Sequence, residues 1–413
     1  MRKISTTRRA VHFAMIVATT LCLQGTYAHG QLSKEVVKIG ILADMSGLYS
    51  DLSGIGSVVA AQMAAADFGG TVLGKKIEII AADHQNKPDI GANIARKWID
   101  RQGVDAIADV PVSSIAFAVQ QIAKEKNRVL LISSSGSSDL TGKACSPVSV
   151  HWTYDTYALA KTAGKATIEQ GGDTWFFITA DYAFGHALER DTTAIVQAQS
   201  GKVLGSVRHP QDTLDFSSYL LRAQASKAKV IGLANAGGDT INSVKQANEF
   251  GIVGPQKIVG LLTYISDVHS MGLKNAKDLI VASAFYWDLS DETRAWSKRF
   301  MDRAKKVPTM ANAGTYGAVL HYLKAIEEAG TDEAKAVVQK MKEIPINDFF
   351  TKGGRVREDG RVIRNMYLFQ VKSPKESKYA YDYYKLLKTV PGDQAFRSMA
   401  QGGCPMVAEK SGG

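Results

Sequence analysis

The regular alternation of short apolar segments with longer helical segments constrains the fold of this chain more than any other feature. In the first part of the chain, strands are predicted at 36–43, 76–82, 104–110 and 129–132. The segments between them predict helices at 54–68, 90–101 and 114–126. Because each unit is long enough for the crossover that joins parallel strands, the pattern predicts a doubly wound α/β unit.

The alternation pauses at 145–156 and then resumes over a second stretch of similar length. There, strands are predicted at 174–179, 202–207, 229–233, 257–262 and 279–284, and helices at 157–170, 185–199, 216–224 and 240–250. Two long helices follow, at 292–306 and 313–328, without a third repeat. The chain is long enough for two such units, and we expect the residues after about 285 to return and complete both.

The N-terminus has the features of a cleaved secretory leader. Four basic residues within the first nine positions precede an apolar segment at 10–23, which is too short to span a membrane. Thr26 and Ala28 are the small residues that a signal peptidase reads, so a signal peptide is predicted over 1–28 and a periplasmic mature protein after it. Removing those four charges lowers the formal net charge from +10 to +6. No basic block with interleaved aromatic residues indicates nucleic acid.

A Ser-rich loop, Ser133–Ser138, directly follows the predicted strand at 129–132. Ligands of open α/β sheets bind at the carboxyl ends of the strands. Hydroxyls and free N–H groups at such a place can hold a carboxylate without any catalytic group. The loop therefore predicts one anion-binding wall of a cleft, with a plain polar loop as the alternative.

Two cysteines, Cys145 and Cys404, remain after the leader. An even number of cysteines in an oxidising compartment favours one disulfide over two free thiols. The bridge would tie the C-terminal tail to the segment that follows the Ser-rich loop.

Signatures of catalysis are absent from the sequence. Gly54-Ile55-Gly56 lacks the third glycine of a dinucleotide loop, and no phosphate-binding loop, serine-hydrolase elbow or zinc-protease motif is present. The histidines are scattered without metal-ligand spacing, and His84, His151 and His269 are interpreted as structural. We expect no catalytic residues, no cofactor and no metal. A secreted α/β enzyme is the rival hypothesis, and a measured turnover would support it.

Five motifs in order resemble the periplasmic solute-binding proteins of ABC importers, of the leucine/isoleucine/valine-binding type. Residues 37–47 are similar to the first strand and ligand loop of that family, and residues 65–75 to its helix, turn and second strand. Asp83–Pro88 resembles an Asp-x-x-x-x-Pro turn. Residues 132–141 take the place of a Ser-Pro-Ala-Ala-Thr loop, and residues 181–185 that of an Asp-x-x-Tyr-Gly turn.

The resemblance implies a type I periplasmic binding protein, in which two doubly wound Rossmann-like lobes joined by hinge strands close on a ligand like a Venus flytrap. It assigns residues 29–150 with about 286–360 to lobe 1. Residues 151–285 with about 361–413 form lobe 2 and the C-terminal tail. The implied partners are a small carboxylate ligand and ABC permease subunits of the inner membrane. We expect a monomer, and a soluble ligand sensor of the same fold is the alternative.

Carried over residue by residue, the resemblance places ligand contacts on both sides of the cleft. The lobe 1 positions, expected to hold a carboxylate, are Val112, Ser113, Ser114, Ser135, Gly136 and Ser137. The lobe 2 positions are Tyr182, Phe184, Asn235 and Gly237. The family's glutamate, which holds a ligand ammonium, aligns with Leu262 or Thr263, and Asp267 is its alternative.

Aromatic residues crowd the expected cleft: Tyr49, Tyr182, Phe184 and Tyr264, together with 285–287. With the glutamate missing, these rings favour an aromatic carboxylate, such as a benzoate or a phenylpropenoid acid, over a zwitterion. A branched-chain or aromatic amino acid is the alternative ligand. For Phe285 and Trp287, packing in a core is the alternative role.

Overall fold

The computed structural model of this protein describes residues 32–410. The predicted signal peptide therefore lies outside the described residues. The strands are β1 Val36–Ala43, β2 Thr71–Val72, β3 Lys75–Asp83, β4 Ala106–Asp109, β5 Val129–Ile132, β6 Ser149–His151, β7 Thr174–Ala180, β8 Lys202–His209, β9 Val230–Ala234, β10 Lys257–Gly260, β11 Ile280–Ser283, β12 Arg355–Val356, β13 Val362–Ile363, β14 Met366–Val371 and β15 Tyr384–Val390.

Helices connect these strands in nearly every case. They are α1 Gly54–Phe68, α2 Pro88–Gln102, α3 Ser113–Lys126, α4 Thr156–Leu159, α5 Lys165–Glu169, α6 Ala183–Ala198, α7 Ser217–Ala225, α8 Gly238–Glu249, α9 Ile265–Met271, α10 Leu273–Ala276, α11 Asp291–Ala304, α12 Met310–Ala329, α13 Ala334–Glu343, α14 Gly392–Ala395, α15 Met399–Gly402 and α16 Pro405–Lys410. A 3-10 turn covers Ser138–Thr141, and a π-helical segment covers Ala160–Gly164.

The first sheet has the strand order β2-β3-β1-β4-β5-β6, and its pairs are parallel except for the short β2. Ile39, Ile41 and Ile107 in its central strands are fully buried, as expected for strands covered by helices on both faces. Helices α11 and α12 pack against α1. Residues 291–304 and 310–329 thus return to the first unit.

The second sheet has the strand order β10-β9-β7-β8, and all its pairs are parallel. A third, antiparallel sheet joins β11, β14 and β15. Two doubly wound parallel sheets, one in each half of the chain, confirm the predicted α/β class. The lobe boundaries expected near residues 150, 286 and 360 stay a prediction.

Two local departures from the predicted elements concern the expected cleft and its surroundings. The strand predicted to reach residue 110 ends at Asp109, because Asp109 and Val110 have φ angles of 81° and 54° and turn the chain out of the sheet. The single helix predicted at 157–170 is α4 and α5 with the π-helical segment between them. The spacing of apolar residues does not distinguish a π-helical turn from an α-helical one.

The predicted disulfide between Cys145 and Cys404 is present, with 5.6 Å between the Cα atoms. The tail beside it also contacts the Ser-rich loop, since the Arg397 guanidinium donates to the Ser138 carbonyl. The Arg397 carbonyl in turn accepts from Arg357 Nη1 at 2.8 Å. Within residues 32–410, no helix has both the length and the apolar character needed to cross a membrane.

Candidate ligand-binding cleft

Strand ends from both parallel sheets converge on one small cavity lined mostly by aromatic and aliphatic side chains. The loop after β1, the loop after β4 and the Ser-rich loop face the loops after β7, β9 and β10. The residues around it are Tyr49, Leu52, Pro111, Ser134, Tyr154, Tyr182, Phe184, Ala236, Leu262 and Tyr264. Among these described lining residues none carries a charge. The cavity volume is about 10 Å³, which is room for about one water molecule.

Four tyrosines, Tyr49, Tyr154, Tyr182 and Tyr264, fill most of this space and are called the tyrosine cluster below. The hydroxyls of Tyr49 and Tyr182 lie 2.8 Å apart, and those of Tyr154 and Tyr264 lie 2.6 Å apart. Because Tyr154 gives its single proton to the Ser134 carbonyl, Tyr264 is the donor in the second pair. Each pair joins side chains that stand on different parts of the cleft wall.

Burial raises the pKa of all four hydroxyls above the ordinary value for tyrosine. The cluster is therefore uncharged at physiological pH and presents neutral donors and acceptors. Aromatic contacts accompany the hydroxyl pairs: the rings of Tyr154 and Tyr264 meet edge to face at 6.3 Å, and Tyr182 lies 6.0 Å from Phe184. Such a wall suits a flat, weakly polar body.

The Ser-rich loop binds a carboxylate, but it is the chain's own. Ser133 Oγ donates to Asp109 Oδ1 at 3.1 Å, and Ser134 Oγ donates to the same oxygen. Ser53 Oγ donates to Asp109 Oδ2 at 2.5 Å. Asp109 is completely buried, and that burial raises the pKa of its carboxyl in spite of these hydroxyls. Two of the five serine hydroxyls in the loop predicted to hold a ligand anion are therefore already bound to an internal carboxyl.

The other hydroxyls of the loop differ from one another. Ser135 Oγ donates to the Val110 carbonyl, and Ser138 Oγ donates to Asp191 Oδ2 at 2.7 Å. Ser137 gives its backbone N–H to Ser113 Oγ at 3.2 Å, while its own Oγ is buried and has no partner in the described part of the chain. Within the loop, Ser137 thus has a buried hydroxyl without a described partner, although it is not among the residues around the cavity.

Gly136 lets the Ser-rich loop touch the aromatic wall. A Cβ atom at this position would lie 2.8 Å from the Phe184 ring and 3.0 Å from the Tyr154 ring. Any other residue would push both rings away. The glycine therefore fixes the distance between the loop and the tyrosine cluster.

Helix α3 begins at Ser113, directly after Pro111 and Val112. In the described structure no side chain caps it, so its first N–H groups are not taken by a capping oxygen. Val112 and Ser113 are fully buried, and Ser114 is half-buried. The helix start is adjacent to Pro111 in the cleft wall, where free N–H groups and the helix dipole favour an anion.

Gly237, in the loop after β9, lies close against the opposite wall of the cleft. Its φ of 59° lies in the left-handed region, and a Cβ there would stand 2.6 Å from the Leu48 carbonyl and 3.0 Å from the Tyr49 ring. Both the left-handed backbone and the close approach to Leu48 and Tyr49 therefore require a glycine at this position.

Two other predicted contacts have their polar atoms engaged within the second unit. Asn235 Nδ2 lies 3.2 Å from both His209 Nε2 and Ser243 Oγ, and its Oδ1 accepts from Thr240 at 2.8 Å. Thr263 Oγ1 donates to the Gly260 carbonyl at 3.2 Å. Both lie beneath the loops that form the cavity rather than among the residues around it.

Asp267 lies behind the tyrosine cluster. Its Oδ2 accepts from the Tyr264 backbone N–H at 2.9 Å, at the first turn of α9. Burial raises the pKa of this carboxyl to about 7, although the hydrogen bond from Tyr264 lowers it. Asp267 faces a separate acidic cavity of about 370 Å³, beside Asp51 and Asp212. The carboxylate that an ammonium needs is thus outside the tyrosine cluster.

Phe285, Tyr286 and Trp287 are not among the residues around the cavity, and for Phe285 and Trp287 the contacts support the alternative role of packing in a core. Phe285 packs edge to face against Trp296, Phe349 and Phe350. Tyr286 lies 5.0 Å from the Tyr384 ring, and Trp287 Nε1 donates to the Tyr381 carbonyl at 3.0 Å. Phe285 thus packs in a core with a residue of α11, whereas Tyr286 and Trp287 pack against β15 and the segment before it.

Tyr154 is a member of the tyrosine cluster that the sequence prediction missed. It stands in the connection between β6 and α4, where the strand–helix alternation pauses. The only available signal was the aromatic segment Trp152-Thr-Tyr154 between two predicted units. Leu52, Pro111 and Ser134 were missed as well, because their side chains enter the cavity from turns whose direction is set by the fold.

Two doubly wound sheets whose strand ends meet over an uncharged cavity define a two-lobed ligand-binding protein. Residues 36–378 match the family model described as periplasmic binding protein, and the chain belongs to that family. This confirms the resemblance to the solute-binding proteins of ABC importers. The family is one of binding proteins and not a class of enzymes.

Relatives of this chain share the same family character over nearly their whole length. A periplasmic binding protein from Burkholderia mallei is 48% identical, with a TM-score of 0.89 over 90% of this chain and 99% of that one. A branched chain amino acid ABC transporter periplasmic ligand-binding protein from Burkholderia xenovorans LB400 is 38% identical, with a TM-score of 0.81 over the same shares. Leu/Ile/Val-binding protein homolog 6 from Brucella melitensis is 25% identical over 94% of this chain and 97% of its own.

Proposed function

We propose that this protein is the solute-binding subunit of an ABC importer that captures a small aromatic carboxylate between its lobes and delivers it to a membrane permease. One observation carries the choice of ligand. The cavity where both sheets meet is walled by four tyrosines and a phenylalanine, and its described lining includes no charged side chain. Rings of this kind stabilise a flat aromatic body through offset and edge-to-face contacts.

Ligand entry requires the tyrosine pairs to separate, because the present cavity of about 10 Å³ is far smaller than a benzoate. A hinge motion of the lobes would part Tyr49 from Tyr182, which stand on different lobes. The four neutral hydroxyls would then exchange their bonds to each other for bonds to ring substituents of the ligand. The net change per hydrogen bond is small, so the exchange is reversible.

The carboxylate of the ligand would bind at Ser137 Oγ and the uncapped start of α3. Ser137 supports this placement because its hydroxyl is buried without a partner in the described structure. The adjacent hydroxyls at Ser133 and Ser134 already serve Asp109. One hydroxyl and the helix N–H groups are enough to orient a single negative charge.

A branched-chain or aromatic amino acid is the second candidate, favoured by the name of the Burkholderia xenovorans relative. Its ammonium would need a negative partner, since an unpaired buried charge costs several kcal/mol. Asp267 would have to serve from the neighbouring acidic cavity, which shares Leu52 with the cavity that the tyrosine cluster lines. The present contact of Asp267 with Tyr264 does not favour this route.

A thermal-shift screen followed by calorimetry tests the proposal. Benzoate, 4-hydroxybenzoate and cinnamate should raise the melting temperature of the mature protein, while leucine, valine and phenylalanine should not. Tyr182→Phe should lower the affinity for 4-hydroxybenzoate by about tenfold, because one cleft hydroxyl is lost. Tyr219→Phe is the matched control, since that ring packs on Phe216 and His209 away from the cleft.

Stabilisation by leucine and by no aromatic acid would replace our ligand class with the second candidate. The importer role has its own test: uptake of the labelled ligand by cells that lack this gene. Restored uptake with the wild-type gene but not with Tyr182→Ala supports transport. Unchanged uptake in the deletion strain would instead favour a soluble sensor. Sequencing the N-terminus of the secreted protein tests cleavage after Ala28.

A further inference from the structure

A second groove lies outside the cleft, between the helical segment 160–170 and the antiparallel sheet. Its volume is about 370 Å³, which is within the range of small-molecule sites. The apolar floor consists of Leu368, Leu387 and Val390, and the rim carries Lys161 and Lys388. The cleft argument uses none of these residues.

Two irregularities of the backbone border this one groove. On the helical side, Lys161 and Thr162 belong to the π-helical segment Ala160–Gly164. On the sheet side, Leu368 pairs with Lys388 and Phe369 pairs with Leu386, so Leu387 is the extra residue of a β-bulge. Both kinds of irregularity redirect side chains and are frequent at functional sites. Their occurrence on the two walls of the same groove is the first observation that points to a ligand.

Three polar side chains of the groove, Lys161, Thr162 and Lys388, have no partner in the described part of the chain. In the described part of the chain, neither Lys161 nor Lys388 forms an ion pair. Thr162 is 3% exposed, and its Oγ1 has no hydrogen-bond partner among the described atoms. Lys165, also on the rim, is 3.7 Å from Glu169 within its own helix. The rim thus offers two free positive charges and a hydroxyl above an apolar floor.

Four of the eleven residues around the groove, Leu387, Lys388, Val390 and Gln394, lie beyond the part of the chain that the family model matches. That match ends at residue 378, and β15 begins at Tyr384. Leu387 is 40% exposed on this outermost strand of its sheet, where an apolar side chain gains from being covered.

We propose that this groove is a second binding site, for a small amphipathic monoanion: a carboxylate on a flexible apolar body of about ten heavy atoms. The apolar body covers Leu387, Val390 and Leu368. The carboxylate lies between the two lysines and accepts from Thr162. The site is independent of the cleft and does not rest on the ligand proposed for it.

Calorimetry of the mature protein with octanoate tests the site, with octan-1-ol as the uncharged probe of the same length. Octanoate should bind and octan-1-ol should bind more weakly. The double variant Lys161→Gln/Lys388→Gln should weaken octanoate binding about fivefold, as expected for partly exposed charge pairs. Leu387→Asn should weaken it similarly, while Lys97→Gln, an exposed lysine of α2, should leave it unchanged.

Three outcomes would overturn the proposal. The first is no octanoate binding at millimolar concentration, and the second is equal affinity of the double lysine variant and the wild type. The third is loss of octanoate binding in Tyr182→Ala, since that would place the probe in the cleft. Because the substituted lysines and Leu387 lie at the surface, melting temperatures close to that of the wild type should show that the variants fold.

Discussion

The Ser-rich loop and the tyrosine cluster face each other across the same cavity, yet they use their hydroxyls in opposite ways. Ser133 and Ser134 donate to Asp109, a buried carboxyl of the same sheet. The tyrosines instead pair with one another, Tyr49 with Tyr182 and Tyr154 with Tyr264. The first arrangement is internal to one structural unit, whereas the second joins loops that can move apart.

The difference shows which polar groups of a cleft are available to a ligand. A hydroxyl bound to a buried carboxyl leaves a costly unsatisfied group when it is withdrawn. A hydroxyl bound to another neutral hydroxyl can exchange that partner for a ligand at little net cost. The Ser-rich loop is therefore chiefly a support of the cleft floor, with Ser137 as its exception, and the tyrosine cluster is the adaptable wall.

The largest effect is expected from removing the carboxyl at the centre of the support. Asp109→Ala leaves Ser53, Ser133 and Ser134 without their acceptor and should lower the free energy of unfolding by about 4 kcal/mol. Asp109→Asn should cost less, because an amide oxygen still accepts. Urea denaturation measures both, with Asp302→Ala as the surface control. If Asp109→Ala lowers the free energy of unfolding by less than about 1 kcal/mol, the Ser-rich loop is not a structural support distinct from the tyrosine cluster.

The disulfide anchors the segment after the Ser-rich loop to the C-terminal tail, and its removal is the next largest change. Cys145→Ser/Cys404→Ser should lower the free energy of unfolding by about 3 kcal/mol. The bridge joins residues separated by 259 positions, and without it the unfolded chain gains conformational entropy. Reductant should destabilise the wild type and leave the double variant unchanged. Equal stability of the reduced and oxidised wild type would show that the tail does not support the loop.

Asp267, behind the tyrosine cluster, makes the free energy of unfolding depend on pH. Its folded pKa is about 7, above the ordinary value of 3.8. Between these values the unfolded chain has released a proton that the folded chain keeps, so stability falls as the pH rises through this window. Asp267→Asn keeps the acceptor for Tyr264 and removes that fall. Relative to the wild type it should gain about 2 kcal/mol between pH 5 and 8, measured by urea denaturation.

The exposed carboxylate Glu249 provides the control for this pH dependence, as Glu249→Gln. This control should retain the wild-type slope of stability against pH. If Asp267→Asn also retains that slope, the carboxyl behind Tyr264 does not titrate as its burial implies.

The smallest effect separates two serines of the same loop. Ser134→Ala should cost about 1 kcal/mol, because Asp109 loses a donor. Ser137→Ala should change the stability of the free protein by about zero, because its Oγ has no partner in the described structure. Only Ser137→Ala should weaken binding of a carboxylate ligand, as calorimetry would show. The opposite order would mean that the anion binds at Ser134.

Much of the cleft was predictable because position along a strand is a local property. Tyr49, Tyr182, Phe184 and Tyr264 follow predicted strands, and parallel strands bring their carboxyl ends to one edge. The structure places these four around the cavity. Asn235 and Thr263 follow strands as well, but their side chains bond within the second unit. Periodicity locates a loop and does not give the direction of each side chain in it.

The sequence by itself determined the class of fold, the pairing of Cys145 with Cys404, and the loops that form the cleft. Alternating strands and helices admit few arrangements, and two cysteines can form only one bridge. Tertiary structure alone decided that Asp109, and not a ligand, takes the hydroxyls of Ser133 and Ser134, and that Tyr154 enters from the connection between the units. Those contacts join residues that are distant in sequence or lie in irregular backbone. The periodicity of the sequence does not predict which polar groups come together there.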